Sequence, residues 1–410
     1  LLFVLFSGNL IAQSVITLHQ YNNDSNKVSV GSIAEIQYNS SSITNQFVNN
    51  FYQGNYITTE IKEATSSQLT SGNFLGADAN YGLYSSLKLN SFLGRNPYQL
   101  NWFIGAYHRE HFDANVPENL FKLVFEGNKQ FAGKTVDAGG LSLNFLQYQQ
   151  LQTGLFYNNG LGQAFAISIS YLNGNRHLSY HVNQLDLYTS EIGDELNLNW
   201  NLNYQRSNLD SNQFAYPNGY GFSTDLMYLF NYSSNENDNN YVKLEINDLG
   251  FINWSQKSTT ISTVDSINYT GYHIPDIQNI QDSILSVDSL INQYSSAKNG
   301  AYTTYLPTQV SMSLRQQHNK KLAMHLGIRY RVNANYKPYL YVEEHYMLKE
   351  NIELGGRISY GGYSRLSFGI IVNARFKHFN IVAGTNNLEG VIAPKKLGGF
   401  STFIGLSAHF

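Results

Sequence analysis

Leu322–Val332 reads LAMHLGIRYRV. Leu322, Met324, Leu326, Ile328, Tyr330 and Val332 alternate with Ala323, His325, Gly327, Arg329 and Arg331. A period of two belongs to a strand; a helix would spread both sets around its girth. The two faces are opposite in kind. One is wholly apolar, and the other carries an imidazole and two guanidiniums.

The same pattern recurs along the chain. Leu366–Phe376 sets Leu366, Phe368, Ile370, Val372 and Phe376 against Ser367, Gly369, Asn373 and Arg375. Leu196–Tyr204, Tyr220–Tyr232 and Phe165–Tyr171 alternate likewise. Most runs have about 10 to 13 residues, whereas globular strands average about 5–6 and membrane-spanning strands need about 9–11. Further strands are expected at Tyr81–Phe92, Gln99–Arg109, Leu141–Tyr157, Arg176–Leu187, Tyr241–Leu249 and Trp254–Tyr269. Others follow at Thr308–Gln317, Tyr339–Leu348, Ile352–Tyr360, Phe379–Asn386 and Phe400–Phe410. The predicted fold is all-β: a closed antiparallel up-and-down transmembrane barrel of about 14 (14–16) strands with a short inserted helix. Lipid leaves no backbone group unpaired, so such a sheet must close.

Composition agrees with two opposite faces. Charged residues are 13 % of the 410, about half the usual share. Aromatic residues are 14 %, with 31 Tyr and 24 Phe, yet mean hydropathy is only −0.31. So many aromatic residues exclude a disordered chain. A net charge of −3 gives no footprint for nucleic acid. With no Cys, disulfides and thiol chemistry are excluded. Tyr and Trp near strand ends (Trp102, Tyr107, Tyr204, Tyr232, Trp254, Tyr330, Tyr336, Tyr360) are expected in interfacial girdles.

The domain reading has three parts. Residues 1–13 (LLFVLFSGNLIA and Gln13) read as a partial signal peptide. Residues 14–78 form a polar N-terminal segment, a candidate first strand or plug, too polar at Asn22–Asn73 for a greasy hatch. Residues 79–410 form the barrel. Within it Ile277, Ile280, Ile284, Val287, Ile291 and Tyr294 follow helical spacing, with Asp276 as N-cap, and are expected to form a docking helix near 276–294. Pro117–Phe131 reads as a short helix and loop. Ile404, Leu406, Ala408 and Phe410 end the chain on one apolar face, and Phe410 fits the signal read by the outer-membrane assembly machinery.

Little catalytic chemistry is legible. His177 and Ser179 share a face opposite Leu178, Tyr180 and Val182, so they are expected in the lumen and not at lipid. His108-Arg109-Glu110-His111 with Asp113 is not HExxH and reads as a solvated loop. No metal or cofactor is expected. The strongest constellation is a lumenal polar network. It comprises Lys243, Glu245, Arg315, His325, Arg329, Arg331, Glu343, His345, Glu353, Arg357 and Arg375, which concentrates charge in the C-terminal third. It would serve as an ion-pair filling or as the lining of a pore.

The chain resembles a Bacteroidota outer-membrane β-barrel family of unassigned function, similar to the PorP/SprF and PorV barrels of type IX secretion and to FadL-like barrels. The residues carrying this are Asn119–Gln130 (NLFKLVFEGNKQ), Asp248–Trp254 (DLGFINW), Tyr305-Leu306-Pro307, Gly384–Gly390 (GTNNLEG) and Phe400–Phe410. The resemblance implies a non-enzymatic protein of the outer membrane. Its role would be an accessory of type IX secretion or gliding, or an uncharacterised barrel of that kind. One alternative is a FadL-like channel for hydrophobic or small solutes. Another is an exported soluble β-rich adhesin. Expected partners are outer-membrane lipid, the assembly machinery and secretion or gliding components.

Overall fold

The computed structural model describes residues 18–21, 27–90, 99–208, 214–233, 240–270 and 297–410. The signal peptide and the docking helix of Ile277 to Tyr294 therefore lie outside the described residues. Burial follows the two-residue period but runs inside out. Leu326 and Ile358 are 37 % and 54 % exposed, while Glu343 and Arg357 are 1 % and 2 % exposed. A water-soluble sheet would bury the opposite set. Hydrocarbon is the solvent that suits this outer surface.

In chain order the strands are β1 (Val28–Ser40), β2 (Asn73–Lys88), β3 (Gln99–Val116), β4 (Lys134–Asp137), β5 (Leu141–Asn158), β6 (Gln163–Thr189) and β7 (Leu196–Arg206). Then come β8 (Gly219–Asn231), β9 (Tyr241–Trp254), β10 (Thr259–Tyr269), β11 (Lys298–Asn299), β12 (Thr303–Tyr305) and β13 (Gln309–Gln317). The last six are β14 (Leu322–Arg331), β15 (Lys337–Lys349), β16 (Ile352–Gly362), β17 (Leu366–Arg375), β18 (Phe379–Thr385) and β19 (Gly399–His409). Fourteen of these form the closed antiparallel wall. Its order is β1-β2-β3-β5-β6-β8-β9, then β13 through β19. It closes where β1 pairs with β19, from Ser29↔His409 to Asn39↔Gly399.

Several boundaries differ from the sequence reading. The two strands expected at Phe165–Tyr171 and Arg176–Leu187 are one, β6, bent by a bulge that skips Asn175. Its first half pairs with β8 in the wall, and its second half pairs with β7. β7 in turn pairs with β10, and β4 lies on the end of β6. Leu196–Tyr204 thus belongs to a sheet extending beyond the wall. The strand expected at Trp254–Tyr269 is split into β9 and β10 by a turn. β1 is a wall strand, so the wall begins before residue 79.

The two ends are unequal. At one, β1 starts, β19 finishes and most connections are tight turns, as at 318–321, 350–351 and 376–378. At the other lie long connections holding α1 (Asn45–Tyr52), α2 (Thr59–Ser66), α3 (Glu118–Glu126) and α4 (Leu388–Ile392). Thr44 and Thr58 cap α1 and α2 by accepting from the N–H groups of Phe47 and Ile61. Ile43, Phe47, Ile61 and Phe121 join α1 to α3 into a small apolar cap. No described helix is long and apolar enough to cross a membrane.

The outward face can be tested by depth. Leu326→Arg, at mid-strand, is expected to destabilise the barrel in phospholipid vesicles by about 2–4 kcal/mol in urea titration, and Tyr330→Arg near the rim by about 0–1 kcal/mol. Equal costs would contradict a lipid-facing wall.

Candidate functional site

The lumen is built by the inward half of each strand. Register puts Arg315 opposite His325, His325 opposite Glu343, and Glu343 opposite Arg357, across β13 to β16. The Arg357 Nε donates to Glu343 Oε2 at 2.6 Å, and a second guanidinium nitrogen also reaches that oxygen. His345 lies between Glu343 and Glu353, with its Nδ1 2.7 Å from Glu353 Oε1. Arg375 reaches Glu353 at 2.9 Å, and Lys243 reaches Glu245 at 2.9 Å. Arg329 lies over the Tyr339 ring and Arg357 over Tyr341. The two ring nitrogens of His325 have no hydrogen-bond partner, and its ring rests on His345. Of the eleven network residues, Glu353 and Arg375 are half-buried and the other nine are buried.

Arg331 crosses the lumen. Its Nη1 lies 2.9 and 3.2 Å from the two oxygens of Asp78 on β2. In the fourteen-strand ring β14 and β2 face each other, seven places apart either way. Asp78 also faces His111 Nδ1 at 2.6 Å and accepts from Gln37 Nε2 at 2.5 Å. The other nitrogen of His111 faces Asp113 at 3.1 Å, an arrangement in which a protonated imidazole donates to both carboxylates. Loops of the long-connection end fold down onto this group. Asn335 donates to Asp113 through its backbone N–H at 2.9 Å and its side chain at 2.5 Å. The Tyr363 ring lies against Gly76, where a Cβ would collide with it, and beneath Arg331.

A third cluster sits where β8 and β9 bulge. Asp248, at φ +58°, donates its backbone N–H to Asp225 at 2.6 Å and lies 3.7 Å from Arg109. Asp225 also accepts from Ser168 Oγ at 2.7 Å and Gln152 Nε2 at 2.5 Å. Lumenal charge is therefore not confined to the C-terminal third. Asp78, Asp225 and Asp248 lie outside the sequence-derived network because none has a charged neighbour two residues away on its strand, and Arg109, His111 and Asp113 lie outside it because their stretch reads as a loop. The residues from His108 to Asp113 are strand β3, not a loop: Arg109, His111 and Asp113 point inward, and Glu110 points outward. Among the described residues, no group of three or more His, Cys, Asp or Glu is placed to hold a metal.

Above the Arg331–Asp78 strut a cavity of about 370 Å³ faces the long-connection end. His111, Asp113, His177, Ser179, His181 and Asn335 lie on it. His177 Nδ1 is 2.7 Å from Tyr302 Oη, and its ring stacks on Trp254. At the other end the inner face turns apolar. Leu18, from the N-terminal segment, packs with Phe103, Phe156, Ala166 and Met227, and Gln20 Nε2 donates to Tyr107 Oη at 3.1 Å. Tyr107 and Trp254 are thus lumenal and Tyr336 meets Tyr363 edge-to-face, so these three are not girdle residues. Trp102, Tyr330 and Tyr360 do face outward. The GTNNLEG stretch makes the α4 joint: Asn387 donates to Glu389, and Glu389 accepts from Phe368 N–H at 2.9 Å.

Residues 22–386 match the model of DUF5723, a family of unknown function. No curated protein matches the chain. Among solved structures it is similar to the toluene transporter TodX of Pseudomonas putida, at 8 % identity and TM-score 0.40, covering 94 % of this chain and 88 % of that one. It is also similar to the Ralstonia pickettii toluene transporter TbuX, at 8 % identity and TM-score 0.44, with 94 % and 90 % covered. A Pseudomonas aeruginosa FadL homologue matches at 10 % identity and TM-score 0.40, with 94 % and 89 % covered. At such values none of them assigns a ligand or a residue role here.

Asp78→Asn, Arg331→Met and the double variant form a cycle across the lumen. Urea unfolding should give a coupling energy of about 1–3 kcal/mol for this pair. A coupling near zero would show that the two strands do not brace each other.

Proposed function

We propose that this chain, which belongs to the DUF5723 family, is an outer-membrane channel barrel for small compounds, held shut at rest by its own lumenal side chains. The observation that carries this reading is the stacking of the 370 Å³ cavity directly on the Asp78–Arg331 strut, with His111 and Asp113 belonging to both. A structural filler would not need a recess of that size lined with hydrogen-bonding groups. Outer-membrane barrels have short periplasmic turns and longer external loops, which puts the cavity on the outside. The path below it changes from polar to apolar at Leu18, Phe103 and Met227. That sequence suits small amphipathic molecules better than ions or plain hydrocarbon.

A second reading is an accessory barrel of protein secretion or gliding. It is favoured by Phe51, Tyr52, Tyr56 and Val124, which leave the cap apolar and strongly exposed. Secretion components that co-purify with the native protein but not with Phe51→Ser/Tyr52→Ser would support it; equal recovery would count against it.

The channel reading is tested by swelling of protein-containing vesicles in small sugars and amino acids. The unaltered barrel should swell them slowly. Arg331→Ala/Tyr363→Ala, which removes the strut and the ring on Gly76, should swell them several-fold faster. A folded double variant as slow as the parent would refute a gated path.

A further inference from the structure

The amide face of β7 belongs neither to the lipid-facing wall nor to the strut. Asn197, Asn199, Asn201, Asn203 and Gln205 alternate there with Leu198, Trp200, Leu202 and Tyr204. Residues directly opposite on antiparallel strands share a face. Gln205 therefore lies between Ser179 on β6 and Thr260 on β10, and Asn203 lies between His181 and Ser262. Asn201 and Asn199 continue the strip beside Gln184 and Asp186. Gln205, Ser179 and His181 also line the 370 Å³ cavity, so the strip runs out of that recess onto the sheet beyond the wall. Inside the recess the Gln205–Ser179 row goes on to Asn144 of β5.

The strip is dense in hydrogen-bonding groups and nearly free of charge. Beyond the recess, the one carboxylate among the described residues of this shared face is Asp186, and Gln184 Nε2 donates to it at 2.6 Å. In the recess, Asp113 is already held by His111 and Asn335. An ion of either sign finds no counter-charge to spare, and an apolar molecule would strip water from amides without repaying it. The side chains of Asn144, Ser179, Gln205, Asn203 and Ser262 make no hydrogen bond to other described residues. Strand geometry sets such groups about 4.8 Å apart across strands and about 6.8 Å apart along them. Each amide presents donors and an acceptor together, which is what a row of hydroxyls needs. Tyr305, strongly exposed, adds an aromatic ring to the recess.

We propose that the recess and the β7 amide strip form a track for neutral oligosaccharides. One sugar ring sits in the recess over Asn144, Ser179 and Gln205, and the rings behind it lie along Asn203 and Ser262. A sugar ring is uncharged, with hydroxyls on its rim and C–H groups on its faces, so it carries the two kinds of surface that the polar recess and the apolar Leu18 cluster below it call for. An extended peptide would instead be held by its backbone along a strand edge. The inference deepens the channel reading above and rests on it for passage inward, whereas the track itself is judged by binding.

Isothermal titration of the whole protein, released in mild detergent, with glucose, maltotriose and cellotriose tests the track. At least one trisaccharide should bind about tenfold or more tightly than glucose. Asn144→Leu/Ser179→Ala should abolish binding of every sugar. Asn203→Val/Ser262→Val should erase the gain with length and keep glucose binding. No saturable binding by the parent, equal affinity for one ring and three, or an unaltered gain in the strip variant overturns the track. A Ser/Asn tripeptide that binds as tightly as the better trisaccharide overturns the choice of sugar. Heat-modifiable gel mobility is followed throughout, and the strip variant decides alone should the recess variant fail to fold. A parent that binds the trisaccharide, but whose Arg331→Ala/Tyr363→Ala form swells vesicles no faster, overturns the channel reading and leaves the track standing.

Discussion

Closure is the constraint on which the rest depends. Each N–H or C=O left on a free edge in hydrocarbon costs several kcal/mol, and nothing in the bilayer core repays it. The Ser29↔His409 to Asn39↔Gly399 ladder removes that edge by joining the first strand to the last. Once the sheet is closed, each residue has two places to go, lipid or lumen. A one-residue slip would exchange them all. The alternation of Leu326 and Ile328 with His325 and Arg329 therefore serves as register information as well as surface chemistry. The seam is also the pairing of greatest sequence separation, so its loop-closure cost falls late and slows assembly.

The same closure turns the lumen into a problem of charge. Ions lining it are cut off from lipid on one side and from bulk water on the other. Burying one unpaired is expensive, and a paired ion gains only if its remaining hydrogen-bonding groups are met. Three carboxylates come nearest to that condition through short-range partners, while one oxygen of Asp248 and both ring nitrogens of His325 have no hydrogen-bond partner. Asp78 has Arg331, His111 and Gln37; Asp225 has Ser168, Gln152 and a backbone N–H; Glu343 has Arg357 and His345. Replacing such groups with packed apolar residues would be neutral or stabilising in many proteins. Buried ion pairs of this kind are therefore weak evidence for stability.

The wall was legible in the sequence because its signal is periodic. Parity in β14, β16, β17 and β19 follows from counting alone, and so does the inward placement of His177 and Ser179. What did not come through has three physical sources. Bulges change parity without changing composition: skipping Asn175 turns Arg176 outward beside Phe145, and Asp248 adopts φ +58° to reach Arg109. Isolated charges such as Asp78 have no period, and its partner lies seven strands away in the ring. Aromatic residues carry no mark of which face they serve, so the sequence alone does not separate lumenal Trp254 and Tyr107 from girdle residues. Four of the five short stretches that suggested kinship mark the joints and bulge of the long-connection end: α3, Asp248, buried Leu306 and α4.

The strut also sets the energetics of any channel. Parting a buried ion pair by removing one partner costs about 3–5 kcal/mol. If opening costs as much, the open form holds about one molecule in 10² to 10⁴ at rest. A solute shifts that balance only by binding the open lumen more strongly than the closed one. The residues freed on opening would be Asp78, His111 and Arg331, with Asp113 and Asn335 above them, so the solute must offer hydrogen-bonding groups that replace the lost ones. A purely apolar molecule offers none and would leave charges stranded. On the channel reading, the lock therefore selects by polarity at the top, and the Leu18 cluster selects by apolar contact at the bottom. The two tests in series require a molecule that carries both kinds of surface.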